Sequence, residues 1–420
     1  MASLVPFTTR VVALDEIADR IHAAWLQADP DYDKSRRPLK TRLNDLGGRV
    51  DQLQAAGHNV DCSQQHRLEA KWLINYTADW PRAQAMLDTL EASLKIIDQP
   101  PLAQDAEGSW GPCTVEWYRK LEPTVDALQL DNIGSTELKP LRFMQRLLDG
   151  DWVGARLREL QRSDIKRTKR NNRDELGAMQ TAMSQLIFKQ QLTHLFHFHR
   201  VLQFEIGAAL KQQYDTYIQD GQNAGTGYWG PTYLFDGSEV PVQDLSFTFH
   251  IAHYRDGDIP NLPLVIDTTL RIKNQIYPSG WKPDANTQYS DHNNYDVAML
   301  FKFGWGHVAE LQQKRVKDEI LAMLKWCLTK SVDGDHFRFD GGSPIDAFYY
   351  GVRFLDIVGM WNPKKRFWTQ DPIVVPAGTA EPPELCRNLK SGFLKLHASG
   401  EAAETITRLL DEAISHTAVA

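Results

Sequence analysis

The sequence predicts an all-α fold, and more specifically an α/α toroid, a barrel of helical hairpins with long aromatic-rich loops and few short strands. Apolar residues recur at three- and four-residue spacing in many segments, which is the period of an amphipathic helix. Strands and helices do not alternate, so a doubly wound sheet is not expected. The 420 residues suffice for one large domain. We expect an N-terminal helical accessory segment over residues 1–60 and the toroid domain over residues 61–420.

The segment 79–97 begins with Asp79, a favourable N-cap, and has Pro81 in its first turn. Its apolar face consists of Ala83, Met86, Leu87, Leu90 and Leu94. Further helices are predicted over residues 137–148, 152–160, 174–188, 201–221, 316–327 and 406–414. Strand signals are confined to residues 232–235, 336–339 and 372–376.

The stretch GTGYWGPTYLFDG, residues 225–237, contains a G-x-G-x-x-G pattern. Such a pattern holds a dinucleotide only when a strand precedes it and a helix follows it. Here a predicted helix precedes the glycines, and Pro231 with a predicted strand follows them. We therefore interpret the stretch as a turn that delivers Tyr228 and Trp229 to the mouth of the barrel. The W-G-P of this stretch recurs at Trp110, where a purely structural helix entry is the alternative.

Composition excludes several classes of protein. A net charge of -7 argues against a nucleic-acid partner, and twelve tryptophans suggest large aromatic surfaces. The four cysteines are far apart and form no C-x-x-C pair, which predicts free buried thiols in a reducing compartment. Neither a secretion signal nor an apolar run of membrane-spanning length is evident. We expect a cytoplasmic protein with no membrane partner, while its oligomeric state is not indicated.

Tyr, Trp, His, Asn and Asp concentrate between residues 225 and 354, in segments that coincide with predicted helix starts. Aromatic rings at the mouth of a helical toroid can stack on flat apolar faces of a ligand, of which sugar rings are the commonest. The candidate substrate-binding side chains are Trp110, Tyr228, Trp229, Tyr233, Trp281, Tyr349, Tyr350 and Arg353.

The hairpin helices, the W-G-x-x-Y entry at Trp229 and the D-H-x-N-Y helix start at Asp291 resemble those of α/α toroid carbohydrate-active enzymes. These include polysaccharide lyases, unsaturated-uronide hydrolases and sugar epimerases. The segment KRNNRDELGAM is similar to the Asn-Asn-His stretch of alginate-lyase-type toroids at Asn171 and Asn172, with Arg173 where that pattern has His. The likeness covers residues 60–370. It implies a small-molecule, oligosaccharide or glycan substrate.

A lyase needs a group that neutralises the uronate carboxylate, a base for the α-proton and an acid for the leaving oxygen. Asn172 and Arg173 are the candidates for neutralisation. The candidates for proton transfer are His250, His253, Tyr254, His292 and Tyr295. A hydrolase would instead need paired carboxylates. The candidate carboxylates are Asp244, Asp267, Asp291, Asp296 and Asp346, of which each is more often a helix cap or an ion-pair partner.

Other hypotheses remain open at this point. His194, His197 and His199 offer metal ligands, but H-E-x-x-H is absent and we predict no metal and no cofactor. A terpene-type cyclase would use the aromatic residues around a wholly apolar cavity, although the Asp-rich and D-x-D-D motifs are missing. A non-enzymatic helical scaffold would leave histidine and aspartate scattered over the surface. A polar cleft with stacked rings would favour the carbohydrate-active enzyme.

Overall fold

The computed structural model describes residues 15–100, 102–127, 139–188, 208–338, 343–396, 398 and 401–417. This part of the chain is mostly helical, so the all-α class is confirmed. The first eight α-helices are α1 (Ala18–Ala28), α2 (Tyr32–Ala55), α3 (Asp61–Tyr76), α4 (Trp80–Ser93), α5 (Leu121–Ala127), α6 (Gly150–Leu160), α7 (Ile165–Thr168) and α8 (Arg173–Phe188). The others are α9 (Ala208–Gly221), α10 (Leu245–Tyr254), α11 (Leu262–Arg271), α12 (Asp291–Gly304), α13 (Glu310–Trp326), α14 (Pro344–Ile357), α15 (Pro382–Leu394) and α16 (Glu401–Thr417).

Helix α4 shows how local sequence sets the helix boundaries. The Asp79 carboxylate accepts the backbone N–H of Arg82 at 3.3 Å, and Pro81 occupies the first turn. The predicted apolar face is buried, and the helix ends at Ser93, four residues before the predicted end. The prediction over 137–148 is wrong in type, because its described part forms a 3₁₀ helix at Arg142–Leu148. Pro140 disfavours an α-helical conformation just before that segment.

Strands are few. β1 (Arg162–Ser163) pairs in parallel with β2 (Thr232–Phe235), and β2 pairs antiparallel with β3 (Ser238–Pro241). β4 (Val332–Asp333) and β5 (His336–Phe337) form a second antiparallel pair. The prediction over 232–235 is therefore confirmed, and that over 336–339 holds for its first two residues. Residues 372–376 form no strand, because flanking prolines cannot complete a hydrogen-bonded ladder.

Two hydrophobic clusters hold these elements together. The smaller one joins α1 to the three-stranded sheet through residues such as Trp25, Ile165 and Phe235. The larger one runs through the remaining helices. Within it α5 and α10 both pack on α8, α10 packs on α12, and α12 packs on α14. This succession of neighbours brings together helices that are distant in sequence, and the candidate site lies among them.

The stretch 225–237 is a turn, but its aromatic side chains do not reach a cleft. A Cβ on Gly230 would lie 1.8 Å from the Val242 carbonyl oxygen, so only glycine permits this close backbone approach. The Trp229 indole N–H donates to the Ile218 carbonyl at 2.7 Å, and the Tyr228 hydroxyl bonds Thr269 Oγ1 at 2.7 Å. Both rings are about 1% exposed. The expectation that Tyr228 and Trp229 line the mouth of a barrel is wrong, since both belong to the core.

The cysteines also differ from expectation. Cys62 and Cys113 form a disulfide with their Cα atoms 5.5 Å apart, whereas Cys327 and Cys386 are buried free thiols. The prediction of four free thiols is wrong because α3 and the 102–120 loop bring two distant cysteines face to face. Among the described residues, no helix combines the length and the apolar character that crossing a membrane requires.

Candidate functional site

A group of polar and aromatic side chains lies between α8, α10, α12 and α14. We call it the histidine–tyrosine cluster, and its members are Arg173, Asp244, His250, Tyr277, His292, Tyr295, Asp296, Tyr350 and Arg353. The helices that carry these residues are neighbours in space, so short side-chain contacts link one helix to the next.

Arg173 is held by a buried carboxylate. Its Nε donates to Asp244 Oδ2 at 2.7 Å, and its guanidinium lies 5.1 Å from the centre of the Phe247 ring. Asp244 also caps α10 by accepting the Phe247 N–H at 3.1 Å. Burial by itself lowers the pKa of Arg173. The charge and hydrogen bond of Asp244, with smaller contributions from Tyr76 and Tyr277, together outweigh burial and hold that pKa well above its usual range. Arg173 is therefore a permanent positive charge in a fixed position.

His250 and His292 are both neutral at neutral pH. Burial lowers the pKa of His250 to about 4, and repulsion by a protonated His292 and by Arg173 adds to this effect. Burial also lowers the pKa of His292, although 39% of that side chain is exposed. The Nδ1 atom of His250 is buried and has no hydrogen-bond partner in the described part of the chain. The His292 ring stacks on Tyr350 with the ring centres 4.1 Å apart. Two neutral imidazoles can accept protons here.

Asp296 is a buried carboxyl one helical turn after His292. It is 1% exposed, and neither of its oxygens has a hydrogen-bond partner among the described residues. Its Oδ2 lies 3.6 Å from His292 Nε2. Burial raises the pKa of Asp296 well above its usual range, and Arg353 offsets only part of that rise. The site therefore favours the protonated carboxyl, which is a proton donor.

The tyrosines of the cluster keep their protons. Burial raises the pKa of Tyr277 and Tyr350, and ionisation of Asp296 would raise it further. Ser246 on α10 interacts with the Tyr277 hydroxyl and offsets part of the rise in its pKa. Arg353 lies 4.4 Å from the centre of the Tyr295 ring, and it donates to the hydroxyl of Tyr349, a neighbour of the cluster.

A polar cavity of about 370 Å³ opens beside the cluster. Its lining includes Arg173, Ser246 and His250, and also Arg119 and Glu122. Glu122 is exposed to solvent in this lining. The volume lies in the range of small-molecule sites, and charges of both signs line it.

A second groove of about 310 Å³ lies under α1 and includes Trp25, Tyr32 and Tyr233 in its walls. Arg173 lines this groove as well as the polar cavity, so the two spaces adjoin at one guanidinium. Tyr233 is 1% exposed, and its hydroxyl accepts a hydrogen bond from Asn171 at 3.2 Å. The predicted contact of Tyr233 with substrate is therefore limited to the floor of this groove.

The structure brings more than half of the predicted site residues together. Those in or beside the cluster are Arg173, His250, His253, Tyr254, His292, Tyr295, Tyr349, Tyr350 and Arg353. The ring centres of His253 and Tyr295 are 6.4 Å apart, and the Tyr254 hydroxyl accepts a hydrogen bond from Gln185 at 2.9 Å. Their catalytic and binding roles stay predictions.

Four other predicted residues lie at helix starts or pack in the core. Asn172 starts α8, where its carbonyl accepts the Leu176 N–H at 2.9 Å. Asp346 is exposed and forms a capping box with Ser343 at the start of α14. Trp281 is 1% exposed and packs edge-on against Phe301.

Trp110 packs partly buried against the main core, where its backbone bonds Gln65 and Thr124. These four residues lie outside the histidine–tyrosine cluster because capping and core packing fix them elsewhere.

Sequence reasoning missed Tyr277, Arg119 and Glu122 as site residues. Asp296 was named only for the hydrolase alternative. A period of 3.6 residues places Asp296 on the same face of α12 as His292, so the helical pattern alone predicts that pair. His194, His197 and His199 lie outside the described residues.

Comparison of the chain with protein-family models, with curated proteins and with solved structures finds no match.

Proposed function

We propose that the protein is a carbohydrate-active enzyme that cleaves a uronate-containing oligosaccharide by acid–base elimination, within an α/α toroid. The observation that carries the proposal is a fixed cation, Arg173, and a neutral imidazole, His250, in the lining of one cavity, with a protonated phenol, Tyr277, beside Ser246 of that lining. These are the three groups that the elimination requires.

Arg173 is the group that neutralises the substrate carboxylate. Its bond to Asp244 uses Nε, so the two terminal guanidinium nitrogens can donate to a carboxylate in the cavity. Binding the carboxylate to a cation stabilises the negative charge that develops when the neighbouring carbon loses its proton. Asp244 holds the guanidinium in position.

His250 is the base, because it lines the same cavity as Arg173 and its lowered pKa keeps it neutral. It removes the proton on the carbon next to the carboxylate. Tyr277 is the acid, because its raised pKa keeps the phenolic proton and Ser246 connects it to the cavity wall. It protonates the glycosidic oxygen as the carbon–oxygen bond breaks and the carbon–carbon double bond forms.

The cavity weighs against the two non-glycan hypotheses. A terpene-type cyclase needs a wholly apolar cavity, whereas arginine, histidine and carboxyl groups lie among the apolar lining residues of this one. A scaffold predicts scattered polar residues, whereas nine residues from four neighbouring helices and their connecting loops meet in the histidine–tyrosine cluster beside the cavity. Hydrolysis remains the competing reaction, since the protonated Asp296 has the raised pKa that suits a general acid.

The test is a screen of uronate oligosaccharides with two assays in parallel, ultraviolet absorbance of the new unsaturated uronide and release of reducing ends. Elimination gives both signals, whereas hydrolysis gives reducing ends alone. We expect His250→Asn and Tyr277→Phe to lower kcat by about 10²- to 10⁴-fold. His307→Asn, which changes an exposed histidine, is the control. If neither assay responds to a folded protein across the screen, the proposal is wrong.

A further inference from the structure

Cys62, His66 and Cys113 form a cluster of soft ligands outside the histidine–tyrosine cluster. Cys62 and His66 are one turn apart on α3, and the Cys62 sulfur lies 3.7 Å from His66 Nε2. One ligand atom from each of the three residues lies within 4.8 Å of the others. All three side chains are partly buried, so a small ion can reach them from solvent.

We propose that these residues bind a divalent zinc-type metal ion when the cysteines are reduced, so that the same pair forms a disulfide in one redox state and a metal site in the other. Two thiolates and an imidazole are ligands that zinc prefers. Among the described residues the cluster has three members, so the ion keeps one position for water.

The backbone already has the spacing that metal binding requires. Two sulfurs that ligate one zinc ion tetrahedrally, with Zn–S bonds of about 2.3 Å, lie about 3.8 Å apart. The Cα atoms of Cys62 and Cys113 are 5.5 Å apart, so rotation of the two side chains can supply that separation. The backbone at His66 need not move, because the helix places His66 on the same face as Cys62.

An external thiol can reduce the Cys62–Cys113 disulfide. Two equivalents of thiol reduce the disulfide, giving two protein thiols and one oxidised disulfide of the reductant. Metal binding then displaces the two thiol protons, and the thiolates with neutral His66 become the ligands. An oxidant of the disulfide class reverses the step by reforming the cystine and releasing the ion.

The cluster is connected to the wall of the polar cavity. Gln65, next to His66 in sequence, accepts the Cys113 N–H at 3.1 Å and donates to the Trp110 carbonyl at 3.0 Å. Gln65 and Thr114 both line the cavity. A metal ion bound by Cys113 would therefore hold the 109–114 loop against α3 after the disulfide is opened.

The experiment uses the full chain, reduced with a phosphine and titrated anaerobically with Co²⁺. We expect one equivalent to bind with a sulfur-to-cobalt charge-transfer band, and Zn²⁺ to displace it. The oxidised protein should show no band. Cys62→Ser should abolish the band, His66→Gln should weaken binding by at least about tenfold, and Cys386→Ala, which removes a free cysteine outside the cluster, should retain it.

Absence of a one-to-one band in the reduced protein overturns the proposal, as does an equal band in the oxidised protein. If Cys62→Ser does not fold, judged by circular dichroism, the oxidised and reduced forms of the unmodified chain still decide the question. Failure of the glycan assays leaves this test unchanged, because cobalt binding is independent of the elimination reaction.

Discussion

His250 should make the stability of the protein fall in mild acid. Burial lowers its pKa to about 4 in the folded state, whereas an unfolded histidine has a pKa of about 6.5. Between these values the unfolded chain binds more protons than the folded chain, so the free energy of unfolding decreases as pH falls. Near pH 5 the unfolded imidazole is almost fully protonated, whereas about one tenth of folded His250 is protonated.

From these two pKa values, His250 alone should lower the free energy of unfolding by about 2 kcal/mol between about pH 7 and pH 5. The His250→Asn variant should lose that much less stability than the unmodified protein over the same interval. Urea unfolding at both pH values measures the difference, and groups that titrate identically in the two proteins cancel. The exposed His307→Asn variant should behave like the unmodified protein.

The reasoning is refuted if His250→Asn and the unmodified protein lose equal stability on acidification. Such a result would mean that the folded imidazole accepts a proton as easily as the unfolded one. Burial, a protonated His292 and Arg173 would then not lower the pKa of His250. The role of His250 as a neutral base would fail with it.

Substitutions at Asp244, Gly230 and Asp346 give three further predictions for urea unfolding. Asp244→Ala should lower the free energy of unfolding by about 3–5 kcal/mol, because it leaves the Arg173 charge buried and unpaired. Asp244→Asn should lower it by about 1 kcal/mol less, since asparagine still caps α10. Gly230→Ala should lower the free energy of unfolding by more than about 3 kcal/mol, because the new methyl group clashes with the backbone. The control is Gly48→Ala, in open space on α2, which should raise that free energy by about 1 kcal/mol. Asp346→Ala should cost about 1 kcal/mol and leave glycan cleavage unchanged, because Asp346 is a cap.

Local patterns in the sequence predict much of this fold. The N-cap at Asp79 and the apolar face of α4 depend on residues within one or two turns, and the structure reproduces both. The 3₁₀ segment before α6 was missed because a proline changes the helix type without removing the apolar spacing. Tyr228 and Trp229 are buried because the Gly230 backbone packs closely against Val242 and because three other helices supply their hydrogen-bond partners. The local sequence does not encode these contacts.

The candidate site follows the same rule. Tyr349 and Arg353 are four residues apart on one helix, so their contact follows from helical geometry. The Arg173–Asp244 pair spans 71 residues, and the Cys62–Cys113 pair spans 51. Contacts at such separations depend on how the helices pack, and sequence spacing contains no information about that packing.

The Cys62–Cys113 bond encloses all of α4 and most of α3 in one covalent ring. Closing a ring of this size restricts the unfolded chain and stabilises the folded protein by about 4 kcal/mol on chain-entropy grounds. A protease that cuts between the two cysteines would therefore leave two fragments that stay joined until a thiol separates them. Limited proteolysis followed by electrophoresis with and without reductant would show this ring directly.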